Sequence, residues 1–167
     1  MISMAIGYLV PAILLCIALY ILFRVFSPGS RGGIDGKLIW TDHGRQTKAF
    51  SNRTFKIFGK PDLMYRIRGG VKAVEYKHRN GPVFKSDIAQ ALAAALAARG
   101  EGYKVVQVLV KTRTNDVTIE LKQSDRALYQ RLEGLIHDVR NAKAGKKMSK
   151  NPERRKCYSC AYRDACQ

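Results

Sequence analysis

From Met1 to Phe23 the chain carries no charged side chain, and Ala5 to Phe23 is an almost unbroken apolar run that ends at Arg24. At about 1.5 Å rise per residue, a helix of this length covers roughly the 30 Å hydrocarbon core of a bilayer. Residues 1–26 are therefore predicted to form one transmembrane helix, with Pro11 at most kinking it. No basic residue precedes the run, and Ser27-Pro28-Gly29-Ser30 offers no small-x-small cleavage site, which argues against a removed signal peptide. Basic residues begin only after the apolar run, at Arg24, so the positive-inside rule places the N-terminus outside and the rest of the chain in the cytoplasm, a single-pass protein of the inner or cytoplasmic membrane.

Residues 27–36, rich in Gly and Ser, read as a flexible linker. Beyond it the pattern changes to short alternating runs. Strand-like pieces are predicted at Lys37 to Trp40 and Thr54 to Phe58. Asp62 to Arg68 and Val71 to Lys77 flank Gly69-Gly70, a two-residue hairpin signal. Lys85 to Arg99 is alanine-rich and is predicted to be a helix stopped by Gly100. Tyr103 to Lys111 and Val117 to Leu121 are β-branched runs separated by Arg113-Thr114-Asn115-Asp116, a second hairpin. Ser124 to Asn141 places Leu128, Leu132, Leu135, Ile136 and Val139 at helical spacing behind a Ser124 cap. The anchor (1–26) and linker (27–36) thus precede an α/β core at 37–142 and a basic, cysteine-bearing tail at 143–167.

Composition sharpens the picture. The 167 residues hold 30 Lys and Arg against 13 Asp and Glu, a net charge of +17. A hydrophobic fraction of 46% excludes a wholly disordered basic tail, and no internal repeat is visible. Such a surplus implies a polyanionic partner, nucleic acid or an anionic membrane surface. Arg24 is the only charge before residue 27, so the partner question belongs to the cytoplasmic part. Lys143, Lys146, Lys147, Lys150, Arg154, Arg155 and Lys156, with Arg79 and Lys85 nearer the core, suit salt-dependent, sequence-independent contact with a phosphate backbone.

The scarce acids are unevenly placed. With Gly69 and Gly70 as turn residues, Met64 faces Glu75 and Asp62 faces Lys77, so Asp62, Glu75 and Lys77 share one face of the hairpin. Asp62 and Glu75 are then diagonal neighbours at roughly 7–8 Å. Two carboxylates so placed suit a hard divalent ion such as Mg²⁺ or Mn²⁺, with Lys77 offsetting charge on a phosphate. On spacing alone, the simpler reading is an exposed strand with a cross-strand Asp–Lys pair, worth less than about 1 kcal/mol.

Gly59-Lys60-Pro61-Asp62 followed by Glu75-Tyr76-Lys77 resembles the PD-(D/E)XK nuclease signature, and Ser86-Asp87-Ile88-Ala89-Gln90 resembles the glutamine-bearing helix of RecB-type members. Asn151-Pro152 and then Cys157-x2-Cys160-x5-Cys166 resembles the C-terminal cluster of the fourth CRISPR-associated (Cas) nucleases and of the nuclease domain of the eukaryotic replication helicase-nuclease. The resemblance implies a restriction-endonuclease-like core, a mixed central sheet flanked by helices. It also implies a metal-dependent DNA exonuclease in which Asp62 and Glu75 ligate the metal, Lys77 is catalytic and Gln90 supports the site. His43 is the candidate for the family's upstream metal-binding histidine. The substrate implied is DNA, single-stranded or with free ends, alongside a helicase or other DNA-processing partner.

Two departures stand out. Ala94 replaces the tyrosine often found four residues after the glutamine, and the only cysteine ahead of the core is Cys16, inside the predicted span. Thiolates suit either an iron–sulfur cluster or zinc. The resemblance implies a [4Fe–4S] cluster on Cys157, Cys160 and Cys166 with a fourth ligand unidentified, while Zn²⁺ or no metal stays open. Two other function classes remain at this point: a membrane-tethered nucleic-acid-binding protein of the same fold without turnover, and a small zinc-tail interaction protein.

Overall fold

The computed structural model describes residues 13–20, 33–150, 157, 158, 160 and 163. Residues 13–20 are helical, and the rest of the expected membrane span lies outside the described residues. Among the described residues no helix is long and apolar enough to cross a membrane. The chain divides into two compact units, Met1–Lys122 and Gln123–Gln167.

The first unit is built on a five-stranded mixed sheet of order β1-β4-β5-β6-β7, with β1 at Lys37–Thr41, β4 at Leu63–Ile67, β5 at Gly70–Tyr76, β6 at Val105–Lys111 and β7 at Asp116–Glu120. Neighbours are antiparallel except β5 and β6, whose parallel pairing needs a long crossover. Helix α1, Lys85–Gly100, supplies it. A separate two-stranded hairpin joins β2, Phe50–Asn52, to β3, Ile57–Gly59.

The alanine content of α1 has a packing reason. The helix packs against β5 and β6 and also against the β2–β3 hairpin. Ala94 to Ala98 are all buried, so no face of that stretch meets solvent, and small side chains let backbone approach from more than one direction. A Cβ built on Gly59 would lie 3.1 Å from Ala94 Cα, and one on Gly100 would lie 2.5 Å from Asn52 Cα. The buried Asn52 amide donates to the Leu96 carbonyl at 3.1 Å, fastening hairpin to helix.

Three local expectations are corrected. The helix ends at Gly100 as expected, but Gly100 is its last helical residue, pressed against Asn52, and the left-handed residue is Gly102, at φ +90°. Thr54 to Lys56 form the β2–β3 turn rather than a strand, with Lys56 at φ +53°. The central hairpin turns at Arg68-Gly69, closed by the Ile67–Gly70 pair, because Gly69 takes φ +90° while Gly70 enters β5 flush against the Lys104 carbonyl.

The second unit contains helix α2, Asp125–Lys143. Its cap is the expected one, with Ser124 Oγ accepting from the Ala127 amide at 3.3 Å. Leu128 and Leu132 are buried, whereas Leu135 and Val139 of the same stripe are exposed.

Candidate active site

The corrected hairpin register rebuilds the acidic pair. The paired ladder ends at Leu63–Val74, and Asp62 and Glu75 are the next residue on each side of it, near enough for the Asp62 charge to act on Glu75. The backbone holds Asp62 in place on both sides. Its amide donates to the Val74 carbonyl at 3.0 Å and its carbonyl accepts from the Asp42 amide at 2.9 Å. Its Oδ2 accepts the Tyr76 N–H at 2.6 Å.

Glu75 is 4% exposed. Its Oε1 accepts from Lys77 Nζ at 2.8 Å and from Gln90 Nε2 at 2.7 Å, and Gln90 Oε1 in turn accepts from Lys77 Nζ at 2.7 Å. These three side chains form a closed triangle. Glu75 Oε2 is buried with no hydrogen-bond partner. Burial raises the Glu75 pKa above the ordinary carboxylate range; Lys77 opposes that rise and the Asp62 charge adds to it.

A buried carboxylate oxygen without a donor is unfavourable unless something cationic meets it. The orphan belongs to a carboxylate that feels the Asp62 charge, and hard oxygen donors are what Mg²⁺ or Mn²⁺ takes, commonly through one or two carboxylates with water in the other positions. The residues present therefore fit such an ion. Among the described residues no set of three or more His, Cys, Asp and Glu side chains is placed to hold a metal. His43 is accordingly not gathered with Asp62 and Glu75; it is exposed in the β1–β2 loop, its amide donating to Thr47 Oγ1 at 2.7 Å.

Gln90 reaches the triangle because α1 is fixed at its start. Asp87 Oδ2 accepts the Phe84 amide at 2.8 Å, a third-position carboxylate reaching back to the cap. The same oxygen takes the Arg79 guanidinium, which also lies 4.5 Å over the Phe84 ring. Arg79, expected on the phosphate-tracking surface, is thus committed to the fold. Lys85, Lys146 and Lys147 are exposed, as such a surface requires.

Arg154, Arg155 and Cys166 lie outside the described residues. Cys157 and Cys160 are not joined in a disulfide, and the Cys160 N–H donates to the Cys157 carbonyl at 3.3 Å.

Sequence reasoning missed the support around Asp62. Lys60 Nζ donates to Asp42 Oδ1 at 2.6 Å and to the carbonyls of Gly44 and Thr47 at 2.6 and 3.3 Å, so one ammonium closes the β1–β2 loop. Its bond to Asp42 holds that carboxyl below the usual range. The available signal was position, since Lys60 stands two residues before Asp62. The departure at Ala94 also has a cause, because Gly59 backs onto that residue and leaves no room for a ring.

A family model described as the PD-(D/E)XK nuclease superfamily matches residues 29–167. No curated protein matches the chain.

Proposed function

Because the chain belongs to the PD-(D/E)XK nuclease superfamily, we propose that it is a metal-dependent deoxyribonuclease that hydrolyses phosphodiester bonds from single-stranded or frayed DNA ends. The observation that carries this reading is the buried, donor-free Oε2 of Glu75, on a carboxylate that feels the Asp62 charge. Asp62 and Glu75 are the residues that hold Mg²⁺ or Mn²⁺. A divalent ion bound there supplies Lewis-acid stabilisation to the phosphoryl oxygens.

The chain's own groups do the rest. An ammonium has three N–H donors, and Lys77 uses two of them on Glu75 and Gln90. The third is available to a phosphoryl oxygen or to the attacking water, at a position the other two bonds fix. Gln90 keeps Lys77 and Glu75 at a constant separation by bonding to both. Water adds to phosphorus, the bond to the leaving sugar oxygen breaks, and that oxygen leaves with a proton.

Two further parts of the proposal rest on the sequence. The uncharged stretch of residues 1–23 anchors the enzyme to the cytoplasmic membrane with its catalytic unit inside, and Cys157, Cys160 and Cys166 bind a [4Fe–4S] cluster completed by a ligand from elsewhere. The order of its motifs is our ground for relating it to the fourth Cas nucleases and the eukaryotic helicase-nuclease domain.

The test uses the full chain in detergent with end-labelled single- and double-stranded DNA and Mg²⁺ or Mn²⁺, beside Asp62→Ala and Lys77→Ala. Cleavage by wild type alone supports the proposal. Equal DNA binding by all three with no cleavage would reduce the protein to a binding module.

A further inference from the structure

The β2–β3 hairpin carries a feature that neither the fold nor the catalytic triangle uses. Phe50, Asn52 and Ile57 are buried, while Phe58, in the same two strands, is 73% exposed. Phe58 pairs with Ser51, so both lie on the hairpin face opposite the buried set. An aromatic ring held in water on a strand backed by α1 gains nothing for stability where it stands.

Its surroundings are cationic. From His43 to Pro61 the chain has five basic side chains, Arg45, Lys48, Arg53, Lys56 and Lys60, and no acid. Lys60 is bound to Asp42, and the other four are exposed. The carboxylate of Glu101 reaches this hairpin, and its Oε1 is taken by the amide and hydroxyl of Ser51 at 2.8 and 3.2 Å. The hairpin is tied to the elements that carry the catalytic set, by the chain and by its packing on α1. Phe58 precedes Asp62 by four residues, and Gly59 packs on Ala94, one helical turn, about 5.4 Å, from Gln90.

We propose that Phe58 is a base-stacking platform for single-stranded nucleic acid beside the Asp62–Glu75 site, with the neighbouring Arg and Lys side chains meeting the phosphates. An exposed ring in a basic surface fits a single strand, because unpaired bases of every type offer a π-face whereas a duplex hides its own. The charges supply affinity without sequence preference. The inference rests on the nuclease reading for its purpose but not for its measurement.

The experiment measures binding by the full chain in detergent, with chelator present to prevent cleavage. The probes are a labelled oligothymidylate and an abasic oligomer of equal length. Phe58→Ala and Phe58→Leu should each weaken oligothymidylate binding about tenfold, leave abasic binding unchanged, and leave the melting temperature unmoved because the ring is exposed. Phe58→Trp should show fluorescence quenching by oligothymidylate beyond that of the wild-type Trp40. Unchanged oligothymidylate affinity in the Ala and Leu variants, or an equal loss on the abasic oligomer, overturns the platform. If the Phe58 effect is found while wild type fails to cut DNA with Mg²⁺ or Mn²⁺, the platform stands and the nuclease reading falls. If wild type cuts and the Phe58 variants bind unchanged, the reverse holds.

Discussion

Lys77 and Gln90 are joined by a 2.7 Å hydrogen bond from ammonium to amide oxygen, while both also donate to the same oxygen of Glu75. The amide is the one side chain of its size that can accept from Lys77 and donate to Glu75 together.

Substitution of Gln90 therefore has two separable effects. Gln90→Leu should leave the fold intact and lower kcat about 10–100-fold or more, since it removes two hydrogen bonds to charged groups. Gln90→Glu places a second carboxylate against Glu75 and should move the acidic limb of the pH–rate profile upward. A Gln90→Glu profile that coincides with wild type would show that the triangle does not form in solution.

Glu75 should trade stability for function. Burial raises its pKa, so the native state binds more protons than the unfolded chain, and stability falls as pH rises through that raised value. Glu75→Gln should melt at or above the wild-type temperature at neutral pH, with the gap narrowing in acid, while cleavage drops about a hundredfold or more. Mg²⁺ should raise the melting temperature of wild type and leave Glu75→Gln unmoved. Thermal melts at a series of pH values, with and without the ion, measure both.

The Gly59–Ala94 contact leaves no room for extra volume. A Cβ at Gly59, or a ring at Ala94, should lower stability by about 1–3 kcal/mol, read from the urea midpoint. Gly100→Ala should be at least as damaging, since its new Cβ would meet the Asn52 backbone at 2.5 Å.

Lys56 sits at φ +53°, where a glycine is at no steric disadvantage. Lys56→Gly should stabilise the hairpin by about 0.5–1 kcal/mol by equilibrium unfolding, and no gain would mean the side chain's own contacts offset the strain.

If the tail binds a cluster, anaerobically purified protein should be coloured, contain iron, and lose both colour and iron in Cys157→Ala or Cys160→Ala. Colourless protein free of iron would remove that part of the proposal, and zinc in its place would point to a structural tail.

Much of this was legible in the sequence because it depends on local patterns. The glycine pair between two strand-like runs marks the central hairpin at 63–67 and 70–76, and Asp62, Glu75 and Lys77 are within or beside its strands. The turn was placed one residue late because two adjacent glycines look alike in sequence, although one takes a left-handed conformation and the other answers to packing against Lys104. Arg79 looked like a free surface cation because its partner, Asp87, comes near only once α1 folds back over β5. Lys60 was passed over for the same reason, since its three acceptors lie 13 to 18 residues away.

From the placement of the candidate catalytic groups we expect an order of events in folding. Asp62, Glu75 and Lys77 lie on one contiguous antiparallel hairpin, the kind of element that closes in about 1–10 μs. Gln90 arrives by a different route, on the helix that bridges the parallel β5–β6 pair, whose non-local pairing is the slower kind of step. A chain still emerging from its ribosome up to residue 80 already holds both carboxylates and the lysine, but has nothing to space them. The amide that organises the triangle joins only when the crossover is complete, so the site matures late in folding.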